Sequence, residues 1–93
     1  MSEKDLMKIK EGFILRQVAD NYLVVAVGDA VKKFKGMITL NETGAFIWKA
    51  LEKGATEDEL VEKLTAEYKV DEPMARADVD KFVNKIKKAN LLK

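Results

Sequence analysis

The chain has 93 residues, 47% of them apolar, and its 17 Lys and Arg and 16 Asp and Glu residues leave a formal net charge of +1. This length and composition predict one small folded domain and exclude a disordered tail. His and Cys are both absent, which excludes a thiolate nucleophile, a Ser–His pair, an imidazole base and a Cys/His zinc or iron–sulfur site. The composition therefore favours a binding protein without metal or cofactor over an enzyme.

Location and domain organisation follow from the same composition. No apolar segment approaches the roughly 20 residues that span a bilayer, and the N-terminal segment carries acids and lacks the apolar stretch of a signal peptide. The absence of cysteine fits the cytoplasm, where disulfides are rare. We expect a cytoplasmic protein without a membrane partner, with a single domain over residues 1–93 and flexibility over residues 1–8.

The first half of the chain predicts a three-stranded sheet, because it is rich in β-branched and aromatic side chains. A hairpin is expected in which residues 13–19 pair with residues 22–27. Asp20 and Asn21 would form its turn, since both residue types tolerate a left-handed backbone. A third strand is expected at about residues 34–40, at the edge of the sheet.

The second half predicts three helices, each preceded by a residue whose side chain suits an N-cap: Asn41, Thr56 and Asp71. Glu59 completes a capping box with Thr56, and Gly54 is expected to end the first helix. The third helix is amphipathic, with apolar residues at intervals of three and four: Ala75, Val79, Phe82, Ile86 and Ala89. Leu91 and Leu92 are expected to fold back onto the core. Strands followed by helices predict an α+β domain.

The charge is segregated along the chain. Residues 1–40 have 7 bases and 5 acids, residues 41–72 have 4 and 9, and residues 73–93 have 6 and 2. A single surface lysine usually serves only to keep its face exposed to water. Many of the cations, however, fall on or next to the third strand and on the third helix: Lys32, Lys33, Lys35, Arg76, Lys81, Lys85, Lys87 and Lys88. If these elements lie side by side, the cations border one groove and favour an anionic partner.

One motif resembles a known family. The residues from Leu40 to Trp48 have the sequence LNETGAFIW, which is similar to a motif of the PqqD family. These are small proteins and domains that recognise precursor peptides in the biosynthesis of ribosomally made, modified peptides (RiPPs), including pyrroloquinoline quinone (PQQ). The resemblance covers about residues 9–93 and continues in these positions: Thr56, Glu59, Leu60, Leu64, Tyr68, Asp78, Val79, Phe82, Ile86, Leu91 and Leu92.

The resemblance implies a winged-helix-like fold of the α+β class, with a three-stranded antiparallel sheet followed by three helices. It implies a peptide chaperone rather than an enzyme. Members bind the leader segment of a precursor peptide as an added strand along the third strand, packed against the third helix. They then present the peptide to a modifying enzyme. The implied partners are therefore a precursor (leader) peptide and a radical SAM or other peptide-modifying enzyme.

The peptide-binding residues are assigned by their place on the predicted elements. An exposed edge strand offers unpaired N–H and C=O groups to an incoming strand, and these would come from Lys35, Gly36, Met37, Ile38 and Thr39. On the third helix, the residues that flank the apolar stripe are expected to face the groove: Arg76, Asp80, Val83, Asn84 and Lys87. No catalytic or metal-ligating residue is assigned.

Two other functions remain open. A winged-helix nucleic-acid-binding protein fits the basic third helix, although the acidic second helix would repel phosphates. A small adaptor that binds another protein without a peptide substrate also fits. The peptide-chaperone hypothesis has no nucleic-acid partner, and an open edge strand is compatible with a monomer or a weak homodimer.

Overall fold

The computed structural model describes residues 6–33 and 37–93. The expected start of the third strand, at Phe34, Lys35 and Gly36, lies outside the described residues, as do the first five residues of the segment expected to be flexible. Within the described ranges, three antiparallel strands form one sheet and three long helices follow it, which confirms the α+β prediction. No helix there is both long and apolar enough to cross a membrane.

The hairpin has the expected strands but a different turn. Strand β1 (Phe13–Val18) pairs antiparallel with β2 (Asn21–Ala26). The turn therefore consists of Ala19 and Asp20, one residue earlier than predicted. Ala19 takes the left-handed backbone, with a φ of 55°, instead of the expected Asp20 or Asn21.

Cross-strand packing accounts for this shift. The observed register sets Leu15 opposite Val24, and the Val24 side chain is fully buried. The expected register would have set Val24 opposite Gln17. A left-handed alanine costs about 1–2 kcal/mol, and the apolar pair of Leu15 and Val24 offsets part of that cost, since a cross-strand pair contributes about 0.2–1 kcal/mol.

A short helix that the strand-like composition did not predict, α1 (Ala30–Lys33), stands between β2 and β3. It contains Lys32 and Lys33, which had been expected to lie next to the third strand. Gly12 leaves the space that α1 needs, because a Cβ at this position would lie 2.8 Å from the Ala30 Cβ. Its φ of 98° also favours glycine. Any larger residue at position 12 would push the helix away from the sheet.

Residues 37–40 are the described part of the predicted third strand, and strand β3 (Ile38–Leu40) covers all of them except Met37. It pairs with β2, and the strand order β1-β2-β3 places it at the edge of the sheet, as predicted. Ile38 and Leu40 pack on the core, whereas Thr39 is exposed. Among the residues that the structure describes, no strand pairs with the other side of β3.

The three long helices begin after their predicted N-caps, and the first ends at Gly54 as expected. They are α2 (Glu42–Lys53), α3 (Glu57–Tyr68) and α4 (Glu72–Lys88). The three predicted N-caps accept hydrogen bonds from backbone N–H groups of the first turns, at 2.7, 3.2 and 3.3 Å from Asn41, Thr56 and Asp71 respectively. These side chains satisfy donors that have no partner inside the helix.

The core lies between the sheet and the helices. Trp48 is its largest fully buried side chain, and its indole N–H donates to Glu52 Oε2 at 2.9 Å. The three long helices supply most of the other fully buried side chains: Ile47, Leu51, Leu60, Leu64, Val79 and Ile86. The last two belong to the apolar stripe predicted for the third helix.

The two ends of the chain close the core side by side. Met7 and Ala55 exchange backbone hydrogen bonds of 2.8 and 2.9 Å, and Ile9 forms a β-bridge with Leu92. Leu91 is fully buried, which confirms that the chain folds back after α4.

The capping box makes a stability prediction. Replacing Thr56 by alanine removes the acceptor for the Glu59 N–H, so the free energy of unfolding is expected to fall by about 1 kcal/mol in urea titrations followed by Trp48 fluorescence. Thr65→Ala is the matched control, because this hydroxyl only donates to Glu62 O within α3 and alanine favours a helix interior. Equal losses in both variants would contradict the capping role.

Candidate functional site

The open edge of β3 faces helix α4. The ammonium Nζ of Lys85 donates to the backbone oxygen of Thr39 at 3.3 Å, so this carbonyl lies on the side of β3 that faces α4. In an antiparallel ladder the N–H and C=O of one residue point the same way. We infer that the Thr39 N–H points to the same open side.

A groove of about 340 Å³ lies between the end of β3, the start of α2 and one flank of α4. Its apolar floor is formed by buried side chains: Leu40, Ile47 and Phe82. Polar and charged groups form its rim: Thr39, Asn41, Thr43, Asp78, Lys81 and Lys85. An apolar floor with a polar rim that carries two lysines and one aspartate suits a peptide with both apolar and acidic side chains.

Gly44 allows the close approach that forms this groove. A Cβ at this position would lie 3.2 Å from Asn41 Oδ1, 3.3 Å from Phe82 Cε1 and 3.4 Å from Leu40 Cβ. The Asn41 oxygen cannot retreat without losing its hydrogen bond to the Gly44 N–H. A larger residue at position 44 would therefore push α2 away from α4 and from the end of β3.

Three of the five predicted strand residues are described: Ile38 and Thr39 lie in the edge strand and Met37 directly precedes it. Met37 is 61% exposed, Thr39 is exposed, and Ile38 is half-buried against the core. Lys35 and Gly36 lie outside the described residues. The exposed methionine just before β3 extends the accessible edge beyond the strand itself.

The helix residues assigned to the groove lie elsewhere on α4. Arg76, Val83 and Lys87 line a second groove of about 770 Å³ on the other flank of the helix, next to the start of α3 and the two chain ends. Asp80 and Asn84 are exposed and line neither groove. We expected the groove on the flank of α4 that carries these assigned residues. In the structure, β3 lies beside the opposite flank.

Arg76 is tied to the acidic start of α3 and to its own helix. Its guanidinium contacts Glu57 at 3.0 Å, and Asp58 and Glu72 at 3.2 Å each. Hydrogen bonds to these three carboxylates, first of all to Glu72, raise the pKa of Arg76 above its ordinary value. Its role in the structure is to join α4 to α3, and its neighbours leave little charge for an anionic ligand.

Four α4 residues border the β3 groove, and none of them was assigned to it from the sequence: Asp78, Lys81, Phe82 and Lys85. Their spacing of three and four places them on one helical face. Lys81 and Lys85 belong to the cations noted in the sequence. Their positive charge was the signal that could have assigned them to the groove. Which flank of the helix faces β3 depends on tertiary packing.

Metal chemistry has no visible support in the described ranges, which contain no cluster of three or more His, Cys, Asp or Glu residues able to bind an ion. The buried groups there include no polar or charged side chain. What the groove does offer is a backbone carbonyl at the β3 edge, an apolar floor and charged side chains on its rim.

Comparison with known proteins gives consistent results. The family model "Coenzyme PQQ synthesis protein D (PqqD)" matches residues 14–92. None of the curated proteins compared with the chain matches it. A solved structure described as "TbiB1 in Complex with the TbiA(beta) Leader Peptide" superimposes with a TM-score of 0.73 at 26% identity, covering 92% of this chain and 94% of that one.

A second solved structure, "Lasso peptide synthetase B1 complexed with the leader peptide", superimposes with a TM-score of 0.72 at 21% identity, covering 94% of this chain and 96% of that one. At this identity the likeness concerns the fold. The family match extends from β1 to the segment after α4, and thus includes the sheet, the groove and all three long helices. The chain belongs to the PqqD family.

Proposed function

We propose that this protein binds the leader segment of a ribosomally made precursor peptide and presents it to a peptide-modifying enzyme. The leader adds as a strand along the open edge of β3 and packs against α4. The protein performs no chemistry itself and acts in the cytoplasm with its partner enzyme, for which a radical SAM protein is the first candidate.

The observation that carries this proposal is the open edge of β3 beside a groove with an apolar floor and lysines on its rim. Family membership supports it, as does the solved complex of TbiB1 with a leader peptide, which shares the fold. An added strand gains affinity from backbone hydrogen bonds, and side-chain pockets beside it supply specificity.

The strand residues proposed to border the added strand are Lys35, Gly36, Met37, Ile38 and Thr39. Thr39 offers its backbone groups to that strand, whereas Ile38, which pairs with Val24, turns its backbone groups to β2. On α4 the proposed contacts are the four groove residues: Asp78, Lys81, Phe82 and Lys85. The residues assigned to α4 from the sequence, which are Arg76, Asp80, Val83, Asn84 and Lys87, are proposed only as the alternative surface. A titration distinguishes the two flanks of the helix.

Candidate leader peptides from short precursor genes beside this gene are expected to shift the backbone amide NMR signals of Met37 to Leu40 and of Lys81 to Lys85. The signals of α3 are expected to stay in place, because that helix lies on the other flank of α4. Shifts centred on Arg76 and Lys87 would assign the peptide to the second groove. Shifts produced by a DNA duplex at low salt, and by none of the peptides, would favour nucleic-acid binding.

A proline substitution tests strand addition directly. Thr39→Pro removes an N–H that faces the open edge, so we expect roughly a tenfold or larger rise in the peptide Kd with little change in stability, since proline is tolerated where an edge N–H faces solvent. Thr39→Ala keeps the N–H and is expected to bind like the wild type. Equal binding by Thr39→Pro and Thr39→Ala in calorimetric titrations would contradict pairing at this edge.

A further inference from the structure

We propose that Lys85 determines which peptides this groove accepts, by favouring segments with a carboxylate side chain two residues away from an apolar anchor. This inference rests on the proposed function. It assigns to one side chain a preference that strand addition alone does not create, because backbone hydrogen bonds are similar for every sequence.

The first argument is the position of the Lys85 ammonium in the free protein. Its Nζ lies 3.3 Å from Thr39 O and thus occupies an acceptor that an added strand needs for its own N–H. Of the ion pairs between described residues, all three belong to Arg76. Lys85 and its neighbour Lys81 therefore border the groove without a carboxylate partner in the described part of the chain.

The second argument concerns what happens when a strand arrives. The incoming N–H takes the Thr39 carbonyl, and the ammonium of Lys85 must give up or share its acceptor. A carboxylate on the peptide replaces that lost bond with a stronger, charge-assisted one. A neutral peptide offers no replacement, so Lys85 opposes its binding. The same contact protects the edge from pairing with a second copy of the chain, as lysines at sheet edges commonly do.

The third argument gives the spacing. Phe82 and Lys85 are three residues apart on α4, so their Cβ atoms lie about 5–6 Å from each other on one face. In an extended peptide, alternate side chains share a face and lie about 6.6–6.8 Å apart. One peptide side chain can therefore pack over Phe82 and Leu40 while the side chain two positions away meets Lys85. The accepted motif is an apolar residue and an Asp or Glu separated by one residue.

The test does not need the natural leader. A random 12-residue peptide library displayed on messenger RNA is selected at physiological salt against the wild type, against Lys85→Met, and against Lys63→Met as the control, because Lys63 is exposed on α3 and lines neither groove. The wild type and the control are expected to enrich Asp or Glu two positions from an apolar residue, and Lys85→Met is expected to lose that enrichment.

Affinities measured with single peptides test the same preference for an acidic side chain. For an enriched peptide, changing its acidic residue to Gln or Asn should weaken binding to the wild type about threefold to tenfold and leave binding to Lys85→Met unchanged. Lys85→Gln keeps a neutral donor for Thr39 O, and it should also lose the preference. An acidic preference that persists in both variants would overturn the role of Lys85.

Failure of the underlying function has a different signature. If no peptide is enriched by the wild type, or if the enriched peptides leave the amide signals of Met37 to Leu40 unmoved, strand capture at this edge is itself overturned. Enrichment of apolar peptides without any acidic preference, together with shifts at these amides, would support strand capture and overturn only the inference about Lys85.

Discussion

The close approach of α2 to α4 at Gly44 is the constraint on which the groove depends. Because the glycine has no Cβ, Phe82 and Leu40 pack against the first turn of α2, and α4 is brought alongside the end of β3. The Asn41 cap lies at the same point and fixes where α2 begins. One short motif thus sets the start of a helix, the distance between two helices and the position of α4 beside an open strand edge.

The charges divide between the two flanks of α4. On the α3 side, Arg76 forms ion pairs with three carboxylates. This flank therefore connects α4 to α3, and the charge of Arg76 is neutralised by its neighbours. On the β3 side, Lys81 and Lys85 have no carboxylate partner among the described residues and border an apolar floor. The net charge of +1 conceals this separation, which gives a small protein one face suited to an acidic strand.

Local chemistry made the helices predictable. Each capping side chain acts within three residues of its own position, so Asn41, Thr56 and Asp71 could be identified without knowledge of the fold. The turn at Ala19 and the groove flank of α4 depend on contacts between distant residues: Leu15 with Val24 in the first case, and the placement of β3 in the second. The amphipathic stripe of α4 identified its buried side but gave no information about which neighbour lies on either flank.

The paired chain ends have a consequence for the topology of the domain. Met7 is bonded to Ala55, and the backbone N–H of Lys93 donates to Lys8 O at 2.9 Å, so Lys8 and Lys93 lie side by side. A short linker between them would produce a circular chain, which could be reopened in the exposed turn at Ala19 and Asp20. Such a permutant would place a new chain end close to Leu40, because Leu40 pairs with Tyr22, and it would show whether the β3 edge stays accessible beside a chain end.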